Sequence, residues 1–105
     1  MNATLNKAAT VYLNARNYSN IQSVDFYPFN FLAEIDGETV LISASIESDS
    51  FGEISIDRNE AERALIEATF EGLVDVGMRV RFDTLSIIVV DEGKALVRHH
   101  INCLE

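Results

Sequence analysis

The feature that most constrains this chain is the pair Asp36-Gly37, set between two β-rich runs, residues 29–35 (FNFLAEI) and 38–47 (ETVLISASIE). An Asp-Gly pair in that setting is the strongest short-range hairpin signal. Both central residues of a type I′ turn need positive φ, which glycine adopts freely and aspartate tolerates. A two-residue turn here fixes the register, placing Ile35 opposite Glu38, Ala33 opposite Val40, Phe31 opposite Ile42 and Phe29 opposite Ala44. Because successive side chains alternate across a strand, one face then carries Phe29, Phe31, Ala33, Ile35, Val40, Ile42, Ala44 and Ile46. The other is mixed: Asn30, Leu32, Glu34, Thr39, Leu41, Ser43 and Ser45.

The remaining elements follow from periodicity and punctuation. Residues 4–16 set Leu5, Ala9, Tyr12 and Leu13 on one helical stripe, and Asn17 follows where a left-handed C-cap sits. Residues 21–27 are β-rich and run into the only proline, Pro28, which suits a strand boundary. Asp57 as N-cap and Glu60 in the first turn start a second helix, 58–71, closed by Gly72. Its expected apolar stripe is Ala61, Leu65 and Ala68 with Ile66 and Phe70. Residues 79–90 alternate and then become wholly apolar, as in a strand whose second half is buried on both faces. After Asp91-Glu92-Gly93 a last strand spans 94–102. The order α-β-β-β-α-β-β predicts an α+β or three-layer α/β domain with a central mixed sheet flanked by two helices.

Length and charge narrow the function. At 105 residues the chain suits one compact domain, 1–105, and no apolar run reaches the ~18–20 residues of a membrane span. The net charge is −9. Residues 34–71 hold eleven acids and two bases, a net of −9, while the remainder holds six of each. A surface of that sign opposes phosphate backbones, whose binding needs a positive footprint. The single Cys103 excludes an internal disulfide and no secretory leader is apparent, which suggests a cytoplasmic location and no membrane. Leu104-Glu105 reads as a tag remnant without functional weight.

Generic catalytic signatures are missing: no Gly-rich phosphate loop, no Gly-x-Ser-x-Gly elbow, no Cys-x-x-Cys. His99 and His100 are adjacent on a strand, so they point to opposite faces and do not jointly grip a metal. They read as sheet or surface histidines. Cys103 has no basic neighbour to lower its pKa and reads as inert packing. Glu34, Asp36 and Glu38 gather around the hairpin turn as a candidate acidic site for a divalent cation, against the simpler reading of a solvated turn.

Lys7-Ala8-Ala9-Thr10-Val11-Tyr12-Leu13 followed by Arg16-Asn17-Tyr18 and Ile21 resembles the opening of the YraN-like family of predicted endonucleases. Asp36-Gly37-Glu38-Thr39 before an apolar strand, Phe51-Gly52 before helix two, and Arg81-Phe82-Asp83 opening the fourth strand are similar to its further landmarks. The resemblance runs in order over about residues 5–102. It implies the restriction-endonuclease-like core of the PD-(D/E)xK superfamily, in which an Asp and a Glu-x-Lys hold a divalent metal that activates water.

At the decisive positions the chain departs from that pattern. Anchored on Asp36-Gly37, the implied Asp falls on Phe31 and the Glu-x-Lys on Ala44-Ser45-Ile46, while another gap placement puts Glu34 at the Asp position. The implied helix-one Glu is Asn6, and a basic residue expected at the start of helix two is Glu60. The hairpin register independently puts Phe31, Ala44 and Ile46 on one apolar face. The reading is a degenerate nuclease centre at Phe31, Ala44, Ile46 and Glu60, with no cofactor, in a protein that acts by binding another protein or a second copy of itself. Two alternatives stand beside it. One is a Mg-dependent endonuclease or nucleic-acid-binding protein with a shifted site at Glu34, Asp36 and Glu38. The other is an acidic regulatory domain whose carboxylates imitate DNA.

Overall fold

The computed structural model describes residues 3–47, 55–91 and 94–104, apart from the side chain of Asp91. The order is α1 (Ala3–Ala15), β1 (Ser19–Phe26), β2 (Phe29–Ile35), β3 (Glu38–Glu47), α2 (Arg58–Phe70), β4 (Val80–Asp91) and β5 (Lys94–His100). The five strands form one sheet in sequence order. β1, β2 and β3 run antiparallel, β4 joins β3 in parallel after the α2 crossover, and β5 returns antiparallel to β4. This is the expected α+β arrangement, a mixed sheet with two flanking helices. Phe51-Gly52 and Glu92-Gly93 lie outside the described residues.

The hairpin forms as its turn chemistry dictates: Asp36 and Gly37 have φ of 50° and 78°. The pairs Ile35↔Glu38, Ala33↔Val40 and Phe31↔Ile42 are in place. The expected fourth pair gives way to a different contact, because the Asn30 side chain bonds the Ala44 main chain, its amide donating to the carbonyl and its oxygen accepting from the N–H, both at 2.8 Å. Alternation breaks there. Phe29 turns to the opposite face and stacks against Phe82, the ring centroids 5.3 Å apart.

Each face of the sheet carries its own helix and core. On one side Leu5, Ala9 and Leu13 of α1 pack with Phe31, Ala33, Val40, Ile42, Ala44, Leu85 and Ile87. On the other Ala61, Ala64 and Ala68 of α2 pack with Val24, Phe26, Phe29, Leu32 and Leu41. The alanines let α2 lie close to the strands. Its buried stripe is narrower than expected. Ile66 and Phe70 stand well around the helix from Ala61, Ala64 and Ala68 and remain 60% and 89% exposed.

Both helices end in a Schellman motif. At α1 the Tyr18 N–H reaches the Leu13 carbonyl and the Asn17 N–H that of Asn14, with Asn17 at φ 70°. At α2 Leu73 and Gly72 repeat the pattern on Ala68 and Thr69, with Gly72 at φ 76°. At the other end of α2, the Asp57 side chain caps the Asn59 N–H at 3.2 Å.

Two further expectations are corrected, and the chain's last described residue has a place in the fold. β4 is buried from Asp83 to Ile88, while Val89 and Val90 are exposed. Among the described residues pairing with β3 runs to Glu47↔Ile88, and the last residues of β4 pair with β5. β5 ends at His100, and residues 101–104 form a turn. Leu104 is part of the fold: it packs against the α2-side core, and its carbonyl accepts from Arg58 at 3.1 Å.

Two truncations separate the real core from the expected one. Leu13→Ala, at a fully buried site, should lower unfolding free energy by about 2–5 kcal/mol. Phe70→Ala should change it by less than about 0.5 kcal/mol, as measured by urea denaturation.

Candidate functional site

Of the residues singled out for chemistry, three meet in one core and the others lie apart. Phe31 and Ala44 are buried and Ile46 is half-buried, all three in the apolar core beneath α1. Glu60 lies on the first turn of α2, on the other side of the sheet. Asn6 is on α1, and its buried Oδ1 has no hydrogen-bond partner among the described residues. The three turn carboxylates go separate ways. Glu34 accepts from the Asn20 amide at 2.6 Å, Asp36 occupies the turn itself, and Glu38 leans toward Arg81 at 3.9 Å. Among the described residues no group of three His, Cys, Asp or Glu is placed to hold a metal ion.

The polar centre lies elsewhere, around Asp83, whose carboxylate is fully buried. Spacing explains part of it. Arg81 and Asp83 are two apart on β4 and share the α1-side face with Leu85 and Ile87, so charge and hydrocarbon lie on one surface. The Schellman turn that closes α1 brings Tyr18 into the same space. The antiparallel pair Leu85↔His99 adds the imidazole from β5.

Five donors converge on this carboxylate. Oδ1 accepts from Arg81 Nε at 3.0 Å and from the Asn102 N–H at 2.9 Å. Oδ2 accepts from Arg81 Nη2 at 3.0 Å, the Tyr18 hydroxyl at 3.0 Å and His99 Nε2 at 2.9 Å. Arg81 Nη2 also donates to the Tyr18 hydroxyl at 2.7 Å. On the far side of the imidazole, the Tyr12 hydroxyl lies 3.2 Å from Nδ1, with its ring edge-on to the imidazole. With the Nε2 proton directed at Asp83, a neutral ring leaves Nδ1 to accept from Tyr12.

The electrostatics follow from burial and partners. Burial raises the pKa of Asp83, but the bonds from His99, Arg81 and the Asn102 N–H, together with the Arg81 charge, outweigh it and bring the value from 3.8 to about 2. Burial likewise works against the charged form of Arg81, yet its bonds to Asp83 hold it above its ordinary value. Tyr18 is pushed far up by burial and by the neighbouring Asp83 charge. Burial, with Asp83 nearby, also raises the Cys103 thiol, in keeping with an inert packing role. Every oxygen of the carboxylate is occupied, so the cluster acts as a clasp joining α1, β4, β5 and the chain after β5.

No family model matches the sequence, and neither does any curated protein.

The expectation that His99 and His100 point apart holds: His99 turns to the clasp and His100 is exposed. Treating His99 as an ordinary sheet histidine missed its role. The available signal was the Arg-x-Asp spacing in an otherwise apolar strand, which puts two charges on a face that must be buried. A buried pair of that kind requires further donors.

The clasp gives a pH prediction with a definite sign. Asp83 has a lower pKa folded than unfolded, so its contribution is fully present above about pH 4 and is lost as pH falls toward 2. That part should amount to about 2–3 kcal/mol. Asp83→Asn, which takes the paired charge from the part-buried Arg81, should cost about 3 kcal/mol at neutral pH and flatten the acid limb. Urea denaturation of both proteins across that range checks the prediction; an unchanged acid limb in the variant would refute it.

Proposed function

We propose that this chain is a non-catalytic domain of nuclease type that works by contact with another protein. One observation carries the reading. The positions where the YraN-like resemblance implies a metal-binding Asp and a Glu-x-Lys are Phe31 and Ala44 to Ile46, and their side chains at 31, 44 and 46 pack into hydrocarbon beneath α1. Such side chains neither bind a cation nor carry a proton, so the chemistry that the resemblance implies has no groups to perform it. The clasp does not replace them, because its carboxylate is saturated by its own donors.

Charge agrees with this reading. The net charge of −9 opposes a polyanionic substrate. Glu34, the carboxylate around which a shifted site would be built, is held by Asn20 and has neither a second acid nor a lysine in the contacts described. A lone cysteine fits a cytoplasmic setting, and among the described residues no helix is long and apolar enough to cross a membrane.

Incubating the protein with Mg²⁺ or Mn²⁺ and branched, single-stranded or duplex DNA should give no cleavage. Metal-dependent cleavage that disappears in Glu34→Ala would overturn the reading in favour of a shifted active site.

A further inference from the structure

The sheet has two edges, and they are unlike. β1 is irregular, its register against β2 slipping between Ser19 and Gln22 and again between Ser23 and Phe26. Such irregularities twist an edge away from further pairing. β5 runs in register with β4 from Thr84↔His100 to Val89↔Ala95, and the shift in this pairing falls at the hairpin end, between Val89 and Asp91. Among the described residues it is the outermost strand, and alternate residues of an antiparallel edge turn both N–H and C=O outward.

Its chemistry is unlike that of the rest of the chain. Between 94 and 100 the sequence KALVRHH holds Lys94, Arg98 and two histidines and no acid, in a protein of net charge −9. Alongside runs an apolar groove of about 750 Å³ between α1 and the β4–β5 hairpin, lined by Ala8, Val11, Tyr12, Val89 and Val97, with Lys7 and Lys94 as its charged lining. The edge and the groove are continuous. By alternation Ala95 and Val97 face the groove and Lys94, Leu96, Arg98 and His100 the other way, Lys94 at the first position of the strand also bordering the groove.

Resting on the protein-binding reading above, we propose that β5 and this groove receive an extended segment of a partner protein, alternating apolar and acidic residues, as a sixth strand. Main-chain pairing along the edge supplies affinity and alternate side chains supply specificity. Apolar side chains enter the groove over Val11 and Val97, and acidic ones stand beside Arg98 and His100 as same-face neighbours. The same cations disfavour a second copy of the chain. Antiparallel pairing of two β5 strands about Val97 sets Lys94 opposite His100 and Leu96 opposite Arg98, with no acid on either β5 to answer them; Asp91, across the hairpin from Lys94, is the nearest in register.

The test uses the full chain, labelled with ¹⁵N, and a peptide alternating valine and glutamate, blocked at both ends and matched to the seven residues of β5. Amide shifts and slowed hydrogen exchange should appear on Lys94–His100 and the groove face of α1, and should weaken with salt. The lysine counterpart should not bind. Lys94→Glu with Arg98→Glu should weaken binding by roughly tenfold or more, and Lys94→Gln with Arg98→Gln should give an intermediate loss. All four substitutions are at exposed positions, and circular dichroism verifies the fold. The inference is overturned by equal binding of the lysine peptide, by shifts confined to β1 or α2, or by no binding at millimolar peptide. It is also overturned if sedimentation shows a dimer that the charge reversals abolish, which would make the occupant a second copy. A negative nuclease assay with no binding at β5 refutes this inference alone; DNA cleavage refutes the reading beneath it.

Discussion

A carboxylate without solvent survives only if donors replace the water it has lost, and the Asp83 environment is organised around that requirement. The donors come from distant parts of the sequence: Tyr18 after α1, Arg81 on its own strand, His99 on β5, and the Asn102 N–H beyond it. Satisfying one charge therefore fixes where α1 ends, how β5 lies against β4 and where the chain goes after β5. The apolar cores hold the helices on the sheet without direction; the clasp supplies the direction, because hydrogen bonds tolerate little misalignment.

Under α1 the sheet surface divides into an apolar area around Phe31, Ile42 and Ala44 and a polar area around Asp83. The apolar area contains the positions that the resemblance implies for metal and lysine. The polar area is closed by its own contacts. What remains open is the periphery, where β5 and α1 part to leave a groove.

Local chemistry was legible in the sequence and long-range chemistry was not. The Asp36-Gly37 turn, the Asn17 and Gly72 helix ends and the Asp57 cap each depend on a few neighbouring residues, and each was readable. The faces of β2 and β3 were readable as far as Asn30, whose side chain replaced a main-chain partner, a choice that periodicity does not encode. The burial of Asp83 depends on Tyr18, 65 residues away, and on a strand pairing with His99. No window of sequence contains those contacts. The positions of Ile66 and Phe70 were misread for a related reason: hydrophobicity marked them as core, while helix geometry placed them beyond the reach of the sheet.

The two ends of β5 are held unequally. The Lys94 end of β5 pairs with exposed residues of β4, Val89 among them, whereas the His99 end is tied to Asp83 and to Tyr12. Opening free energy in a folded protein tracks local burial and support. β5 is thus graded along its length, with slow exchange anchored at His99 and easier fraying toward Lys94. A strand built this way can rearrange its outer backbone at one end while the clasp keeps the other in register.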